Sequence, residues 1–485
     1  MAGGNWSVTE LPKLPGFYMN FQAAALASIL TGARGVVVLP VRSHWGPAKQ
    51  FIDVVGEQDI IDKYTVNETG GANAKTTLRL CLLAKPKKIL AYRLIDSSAS
   101  VASLTLKDSG NANVMTLETI YETDRNFKVT VQTNPIDATK KDIKLYEGTT
   151  LLRTFTFVSG TVQAAVEAVN NDTGNKWLKA TKTDDGTGTL ANVSNAQFTG
   201  GNAGLSEIVA ADYTAFMTAC ETQKFNIISL DAVTDESIHT SFRAWVVRMR
   251  SEGKNIQGVL GSSTSDDTAT DAVAKAIARS AGFNHEGMIN VGTGAVLDGV
   301  TYSSAQIASY VAGLIAGQNL SESTTYAPTP FDDVTRRWTR SEQELAVTNG
   351  VYLLIHDGRI VKPLQGINSL ITLRQGQNHQ FKKIRAIRVM DAMNDDMLQA
   401  AEDNYIGKVN NTEEGRLALI AAFKQYMLVH VQGGTIEATG WDVYLHPDYY
   451  GPNATLDPAA DEVYVKWEAY VTDVMEKIYG TFVVK

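Results

Sequence analysis

The stretch FNIISLDAVTDESIHTSFRAWVVRMRSEGKNIQGVLGS, residues 225–262, decides the fold class. FNIISLD (225–231) is a short apolar run bounded by polar residues, the pattern of a buried strand. Ile238, Phe242, Trp245, Val246 and Met249 then recur at helical spacing, and Gly253 stands where a C-cap glycine belongs. IQGVLGS (256–262) returns as a second apolar strand. A strand, a helix and a strand joined by short turns form a crossover unit, which makes the two strands parallel.

The same alternation continues on both sides. Upstream, Ile208, Val209, Phe216, Met217 and Cys220 share one helical face. Downstream come a helix carrying Val273, Ile277 and Ala281 up to Gly282, the strand GMINVGT (287–293), and a helix with Ile307, Tyr310, Val311, Leu314 and Ile315. GVYLLIHDGRIVK (350–362) reads as a hairpin through Asp357-Gly358. Residues 201–362 are therefore expected to form a central α/β layer, a largely parallel sheet covered on both faces.

Farther out the character changes. Residues 31–96 read as a small α/β domain, with strands GVVVLPV (35–41) and KILAYRLI (88–95) around a helix KTTLRLCLLAK (75–85). Residues 97–200 are dense in Thr, Ser, Asn, Asp and Gly. Alternating runs such as FKVTVQT (127–133), IKLYEG (143–148) and LRTFTFV (152–158), interrupted by one helix at 162–170, predict a mostly-β insertion. Residues 363–479 read as α+β, with one helix from Thr412 to Gly433-Gly434 and another from Pro458 to Tyr479. The fold class is multidomain, α/β and α+β.

The two ends do not read as domains. Phe17, Tyr18, Met19, Asn20 and Phe21 make one short strand in an arm spanning 1–30, and Thr481, Phe482, Val483 and Val484 make another in a tail spanning 480–485. Neither has a partner nearby in sequence. A lone strand must pair with something distant or with another chain.

Composition narrows the function. The chain has 485 residues, 44% hydrophobic and 20% charged, enough apolar surface for about three cores and too much for disorder. A net charge of −8 leaves no global basic field to hold nucleic acid. Two cysteines, Cys81 and Cys220, exclude a disulfide scaffold and a Cys-rich zinc site; both lie in apolar helical patterns and read as buried thiols. No apolar run approaches the roughly 18 residues of a membrane span. MAGGNWSVTE (1–10) has neither the basic nor the apolar region of a signal peptide, so synthesis is expected to leave the protein in the cytoplasm.

The α/β layer offers fragments of catalytic constellations, none of them complete. Asp231 and His239 run in the order of a subtilisin-type triad, but they are only eight positions apart, and GTGA (292–295) has Gly where the nucleophilic serine would sit. GGANAKTT (70–77) lacks the glycine before Lys75 that a phosphate-binding loop needs. GTGTLA (186–191) has no strand before it and no helix after it. The seven histidines never fall at metal-ligand spacing. No cofactor and no enzymatic activity are expected. One basic run, Arg374, Lys382, Lys383, Arg385 and Arg388, has no acid within it; it reads as a solvated face or as a docking surface for an acidic partner.

Several stretches, taken in order, resemble one family. MAGGNW (1–6) with PGFYMNF (15–21), RGVVVLP (34–40) with HWGP (44–47), RAWVVRMRSEGKNIQGVLG (243–261), GMINVGTG (287–294) and SYVAGLIAG (309–317) are similar to the sheath proteins of contractile phage tails and phage-tail-like particles, of the type found in prophages of Gram-positive bacteria. GINSL (366–370), KIRAIRVMD (383–391), NYIGKVNNTEEGR (404–416) and EKIYGTFVV (476–484) continue the resemblance to the end, and 97–200 matches least. The resemblance implies a subtilisin-like central layer without protease function, an outward-facing insertion, and a C-terminal domain facing the tail tube. It implies stacked six-fold rings of this chain, joined by strands exchanged through residues 17–21 and 481–484, that contract to drive the tube through a cell envelope. Implied partners are the chain itself, the tail tube protein, and baseplate and tail terminator proteins, with no nucleic acid and no membrane insertion. The tube contact would fall to Lys382, Lys383, Arg385, Arg388, Arg416 and Lys424. The protein would be assembled in the bacterial cytoplasm and reside in a virion or tail-like particle. The rival readings are an α/β hydrolase and a secreted surface or adhesin protein.

Overall fold

Strand β1 (Val36–Val41, VVVLPV) is buried along its whole length, and its alternate residues enter two different cores. Val37, Leu39 and Val41 face one cluster, Val36 and Val38 the other. That is the signature of a strand at the middle of a sheet covered on both sides. In the computed structural model, which describes residues 3–4, 17–18 and 35–484, β1 lies inside a six-stranded sheet. Its other members are β2 (Phe51–Val54), β3 (Lys88–Arg93), β4 (Ile227–Ser229), β5 (Gln257–Leu260) and β6 (Met288–Asn290), in the order β6-β5-β4-β1-β3-β2. All neighbours are parallel except β2, which runs antiparallel to β3 at the edge.

The domain boundaries change accordingly. Residues 31–96 are not a separate domain, because β1, β2 and β3 supply half of the central sheet. The pairing of β1 with β4 joins residues about 190 positions apart, and the Asn226 side-chain carbonyl accepts the Gly35 amide across the same gap. The compact unit also runs past 362, to Ile387. The Ser369 amide donates to Met288 O at 2.8 Å, and Ile367 bridges to Lys383, tying this segment to the sheet unit.

Helices α1 (Ala74–Leu83) and α5 (Ser304–Gly317) cover one face; α2 (Ala210–Cys220) and α3 (Glu236–Ser251) cover the other, with α4 (Ala272–Phe283) contributing Phe283. Helix α3 begins at Asp235, whose carboxylate accepts the Ser237 and Ile238 amides, and turns out of the helix through Gly253 at φ +88°. Helix α5 is buried on all sides and lies close against α1. A Cβ at Gly313 would stand 2.5 Å from the Cys81 carbonyl oxygen, so only glycine fits this crossing. The hairpin expected at 350–362 is present, Leu354–His356 pairing with Val361–Pro363.

Between β3 and α2 the chain builds two antiparallel sheets. One orders the strands 150–158, 140–147, 127–133 and 193–197; the other orders 178–182, 113–122 and 101–107. Leu106, Val114 and Leu117 from one sheet share a core with Phe127, Val129, Ile143 and Phe155 from the other, closed by the helix Val162–Asn170. Trp45, on the loop after β1, is buried in that core, and the Arg125 guanidinium lies 5.0 Å over its ring. The molecule is thus a mixed α/β chain with several sheets.

A second compact unit comprises Met1–Ala33 and Arg388–Lys485. Within it α6 (Ile384–Asn404), whose first residues belong to the sheet unit, and α7 (Glu413–Gln432) are followed by strands β7 (Asp442–Leu445) and β8 (Val465–Glu468). The N-cap of α7 is Thr412, as its sequence predicts. The helix expected from Pro458 to Tyr479 is absent. That segment is turn, then β8, then irregular chain. Val463, Val465 and Trp467 alternate with period two, and β-branched and aromatic residues at that period favour a strand over a helix.

Candidate assembly site

β7 and β8 form an antiparallel ribbon, with Val443 opposite Trp467 and Leu445 opposite Val465. A bridge between Ile436 and Val471 prolongs it. Among the described residues neither strand pairs on its outer side. A two-stranded ribbon is marginal by itself in water, so this one depends on what it packs against. Val443 is fully buried, Trp467 meets Phe423 of α7 edge-on at 6.4 Å, and Lys424 of α7 pairs with Asp442 at 2.7 Å.

Beside β8 an open groove of about 580 Å³ runs between α6 and α7, walled by Leu398, Leu419, Phe423, Val463 and Trp467. Arg416 sits on its wall. Its Nη1 donates to Asn411 Oδ1 at 2.9 Å, and its guanidinium lies 5.2 Å over the Tyr450 ring. The ribbon therefore offers open backbone edges next to an apolar trough, the two things a guest strand requires.

The end of the chain has the complementary character. Thr481, Phe482, Val483 and Val484 are irregular and exposed, Phe482 at 89%. Met475, Ile478 and Tyr479 are exposed as well. Fully burying such a side chain is worth about 1.5–3 kcal/mol, so this concentration of apolar surface is costly unless something covers it.

The N-terminal arm departs from expectation in one respect. Phe17–Tyr18 does have a local partner: it pairs in parallel with Gly3–Gly4. Gly-Gly has no strand propensity to announce the pairing. Met19, Asn20 and Phe21 lie outside the described residues.

The basic residues differ in exposure and in what holds them. Arg385 is only 4% exposed, because it stands on the inner side of the first turn of α6 beside buried Ile384 and Ile387. Lys382 donates to Ile371 O at 2.8 Å, and Lys383 and Arg388 are half-buried and engaged. Arg416 and Lys424 are occupied as described. What sequence reading missed here is α6 itself and its apolar wall; the spacing of Ile384, Ile387, Met390 and Met397 carried the signal, read instead as a cationic stripe.

The enzyme candidates resolve into structural roles. Asp231 is fully buried and holds Arg42 Nε at 2.6 Å, the Tyr213 hydroxyl at 2.7 Å and Asn73 Nδ2 at 3.1 Å. The His239 Nε2 faces Val233 O at 2.8 Å, and burial lowers its pKa. Burial pushes both thiols, Cys81 and Cys220, above the ordinary range, which keeps them protonated and unreactive. Among the described residues no group of three His, Cys, Asp or Glu is placed to hold a metal ion, and no helix is long and apolar enough to cross a membrane.

Comparison with known proteins bears on most of the chain. Family models match in order: the phage tail sheath protein beta-sandwich domain at residues 96–203, the central domain at 206–369 and the C-terminal domain at 376–485. The phage-like element PBSX protein XkdK of Bacillus subtilis is 26% identical over 467 residues, 91% of this chain and 92% of the relative. The crystal structure of a sheath tail protein from Desulfitobacterium hafniense superposes with a TM-score of 0.72 at 25% identity, over 96% of this chain and 99% of the other. The helical sheath of the anti-feeding prophage in its contracted state shares the fold at a TM-score of 0.56 and 12% identity, over 98% of this chain and all of the other.

Proposed function

The chain belongs to the phage tail sheath protein family, and on that footing we propose that it polymerises into stacked six-fold rings around a tail tube and contracts to drive the tube through a target envelope. The observation that carries this reading is the pairing of an open-edged ribbon, β7–β8, with an exposed apolar tail at 478–484. In the proposal the tail of one copy, and the arm at 17–21 of another, add strands to the ribbon of a neighbour. Main-chain hydrogen bonds then supply a directional joint, and the groove residues Val463, Phe423 and Trp467 receive alternate side chains.

A joint of this kind survives rigid-body rotation of the domains it links, which is what a sheath needs when it changes pitch and diameter. The energy is that of a kinetically trapped assembly, so the reading requires no nucleotide site. The subtilisin-like character of the central layer belongs to the same proposal, with Asp231 and His239 serving the packing of α2 and α3 and not chemistry.

The remaining assignments follow. The sandwich at 96–203 faces outward, and the C-terminal unit faces the tube. Since Arg385 is buried, the tube contact is left to the partly exposed Lys382, Lys383, Arg388, Arg416 and Lys424. Partners are further copies of the chain, the tube protein, and baseplate and terminator proteins of a virion or tail-like particle. Negative-stain electron microscopy of the purified chain tests the reading: tubes or rings are expected, and a protein that stays monomeric at high concentration, with and without tube protein, would contradict it.

A further inference from the structure

The sheet unit has an opening of its own, at the carboxyl ends of β4 and β5. A cavity of about 450 Å³ lies there between α3 and α4, lined by His239 and Arg243 of α3, Ser262 and Asp266 after β5, and Lys275 and Arg279 of α4. Ligands of open parallel sheets bind at this edge, because strand ends and helix starts leave a crevice there.

The charges on its wall are unbalanced. Lys275 Nζ pairs with Asp266 at 2.8 Å and stands 3.7 Å from Asp271, and the Ser262 hydroxyl donates to Asp266 at 2.7 Å, so this lysine and its carboxylates offset one another and leave the two arginines as the excess. Glu236 contributes an exposed carboxylate at the rim. Arg243 donates only its Nε, to Phe283 O at 2.9 Å. Arg279 donates Nε to Asn290 Oδ1 at 2.6 Å and Nη2 to Val291 O at 3.0 Å. Among the described residues neither guanidinium has a carboxylate within 4.0 Å, and Arg243 keeps both Nη groups and Arg279 its Nη1 without a protein acceptor. Burial lowers the Arg279 pKa to about 10, with Asp267 and Asp266 only partly opposing the shift. Two forked cations line one crevice, both anchored through backbone or amide oxygens, and each keeps N–H groups of the kind that a bidentate oxyanion accepts.

We infer that this cavity binds an oxyanion, a phosphate or carboxylate group, between Arg243 and Arg279, with Lys275 at its mouth. The group comes either from a small molecule or from an acidic side chain of a second copy of the chain. Calorimetric titration of the full-length, unassembled chain with inorganic phosphate, against chloride at matched ionic strength, tests this. Saturable binding is expected, weakened about tenfold or more by Arg243→Gln and by Lys275→Glu, in keeping with loss of a charge-assisted bond. Lys275 is exposed, so its variant keeps the test open if Arg243→Gln folds poorly. Binding no different from chloride, or equal in parent and both variants, overturns the inference. Repeating the titration on assembled tubes separates the sources: a site already filled by a neighbour has lost its phosphate binding, and a small-molecule site keeps it. Because the first titration uses unassembled chain, its failure leaves the sheath reading untouched.

Discussion

The guanidinium of Arg93, at the end of β3, donates through Nη2 to the carbonyl of Ala203 at 3.1 Å, 110 residues farther along the chain. The same side chain reaches Glu122 O at 2.8 Å, Ser43 O at 2.9 Å and Gly46 O at 2.6 Å. One buried cation therefore fixes where the chain leaves the central sheet for the sandwich, where it returns, and the loop that carries Trp45 into the sandwich core. Burial lowers its pKa to about 10, with Glu122 opposing, so it stays charged at neutral pH.

Replacing Arg93 with Met keeps the volume and orphans four carbonyls. Removing a buried cation recovers part of that loss, since its desolvation is no longer needed. A net destabilisation of about 3–5 kcal/mol in urea unfolding is expected. Limited proteolysis should show cleavage rising first near residues 94–100 and 199–206, the two crossings. Equal protection of both crossings in parent and variant would mean that Arg93 is not the clamp.

A second prediction concerns the crossing of α1 and α5. Gly313→Ala places a methyl group 2.5 Å from Cys81 O and 3.1 Å from its Sγ, and backbone on that side cannot give way cheaply. Overpacking of this kind costs about 1–3 kcal/mol, against a gain below 1 kcal/mol from the better helix propensity of alanine. The loss should dominate, and differential scanning calorimetry of the sheet unit's transition reads the sign.

How far the sequence announced this architecture varies with the range of the interaction. The helices α3 and α7, the hairpin at 354–363 and the strands of the insertion were legible, since caps such as Thr412, the turn Asp357-Gly358 and the period of the apolar residues are local. The place of β1 in the sheet was not: VVVLPV says that both faces are buried, but nothing nearby says that its neighbour is β4, some 190 residues away. The C-terminal part of the chain was misread for a related reason. Arg385 and Arg388 looked like a surface stripe, whereas Arg385 is an inner residue of α6. Val465 and Trp467 belong to a strand whose partner, β7, lies across a 19-residue connection, residues 446–464.

A third prediction is a pH dependence. Asp267 accepts the Ser304 amide at 2.6 Å and its hydroxyl at 2.7 Å, tying the short helix Thr264–Thr268 to the start of α5. Burial raises its pKa to about 6 from an ordinary 3.8, against the pull of Ser304 and Arg279. Between these values the folded chain binds the proton more tightly than the unfolded one, so this group favours folding below about pH 4 and loses that contribution as pH climbs through 6. Asp267→Asn removes the titration. The stability of the parent relative to this variant should rise by roughly 2.4 kcal/mol from pH 7 to pH 4. A constant difference across that window would show that Asp267 ionises as in the unfolded chain.

The last prediction separates folding from assembly at the tail. Thr481, Phe482, Val483 and Val484 are exposed and make no strand among the described residues, so deleting 480–485 removes surface from no core. Unfolding free energy of the unassembled chain should change by no more than about 0.5 kcal/mol, the range of surface changes. Polymerisation should fail, because in the proposed joint these residues supply both the main-chain bonds and the apolar anchors for a neighbour's β7–β8 ribbon. Phe482→Ala with Val484→Ala tests the side-chain half alone. It leaves every backbone bond available and removes two anchors worth about 1.5–3 kcal/mol each when buried, so tubes should form only at raised protein concentration. Trp467→Ala, on the receiving side, should give the same phenotype. Combining it with the tail variant should cost less than the sum of the two, since contacting residues couple. Electron microscopy counts the tubes and light scattering gives the critical concentration. Tubes of normal length from the deletion variant would mean that the exposed apolar tail serves something other than the joint between copies.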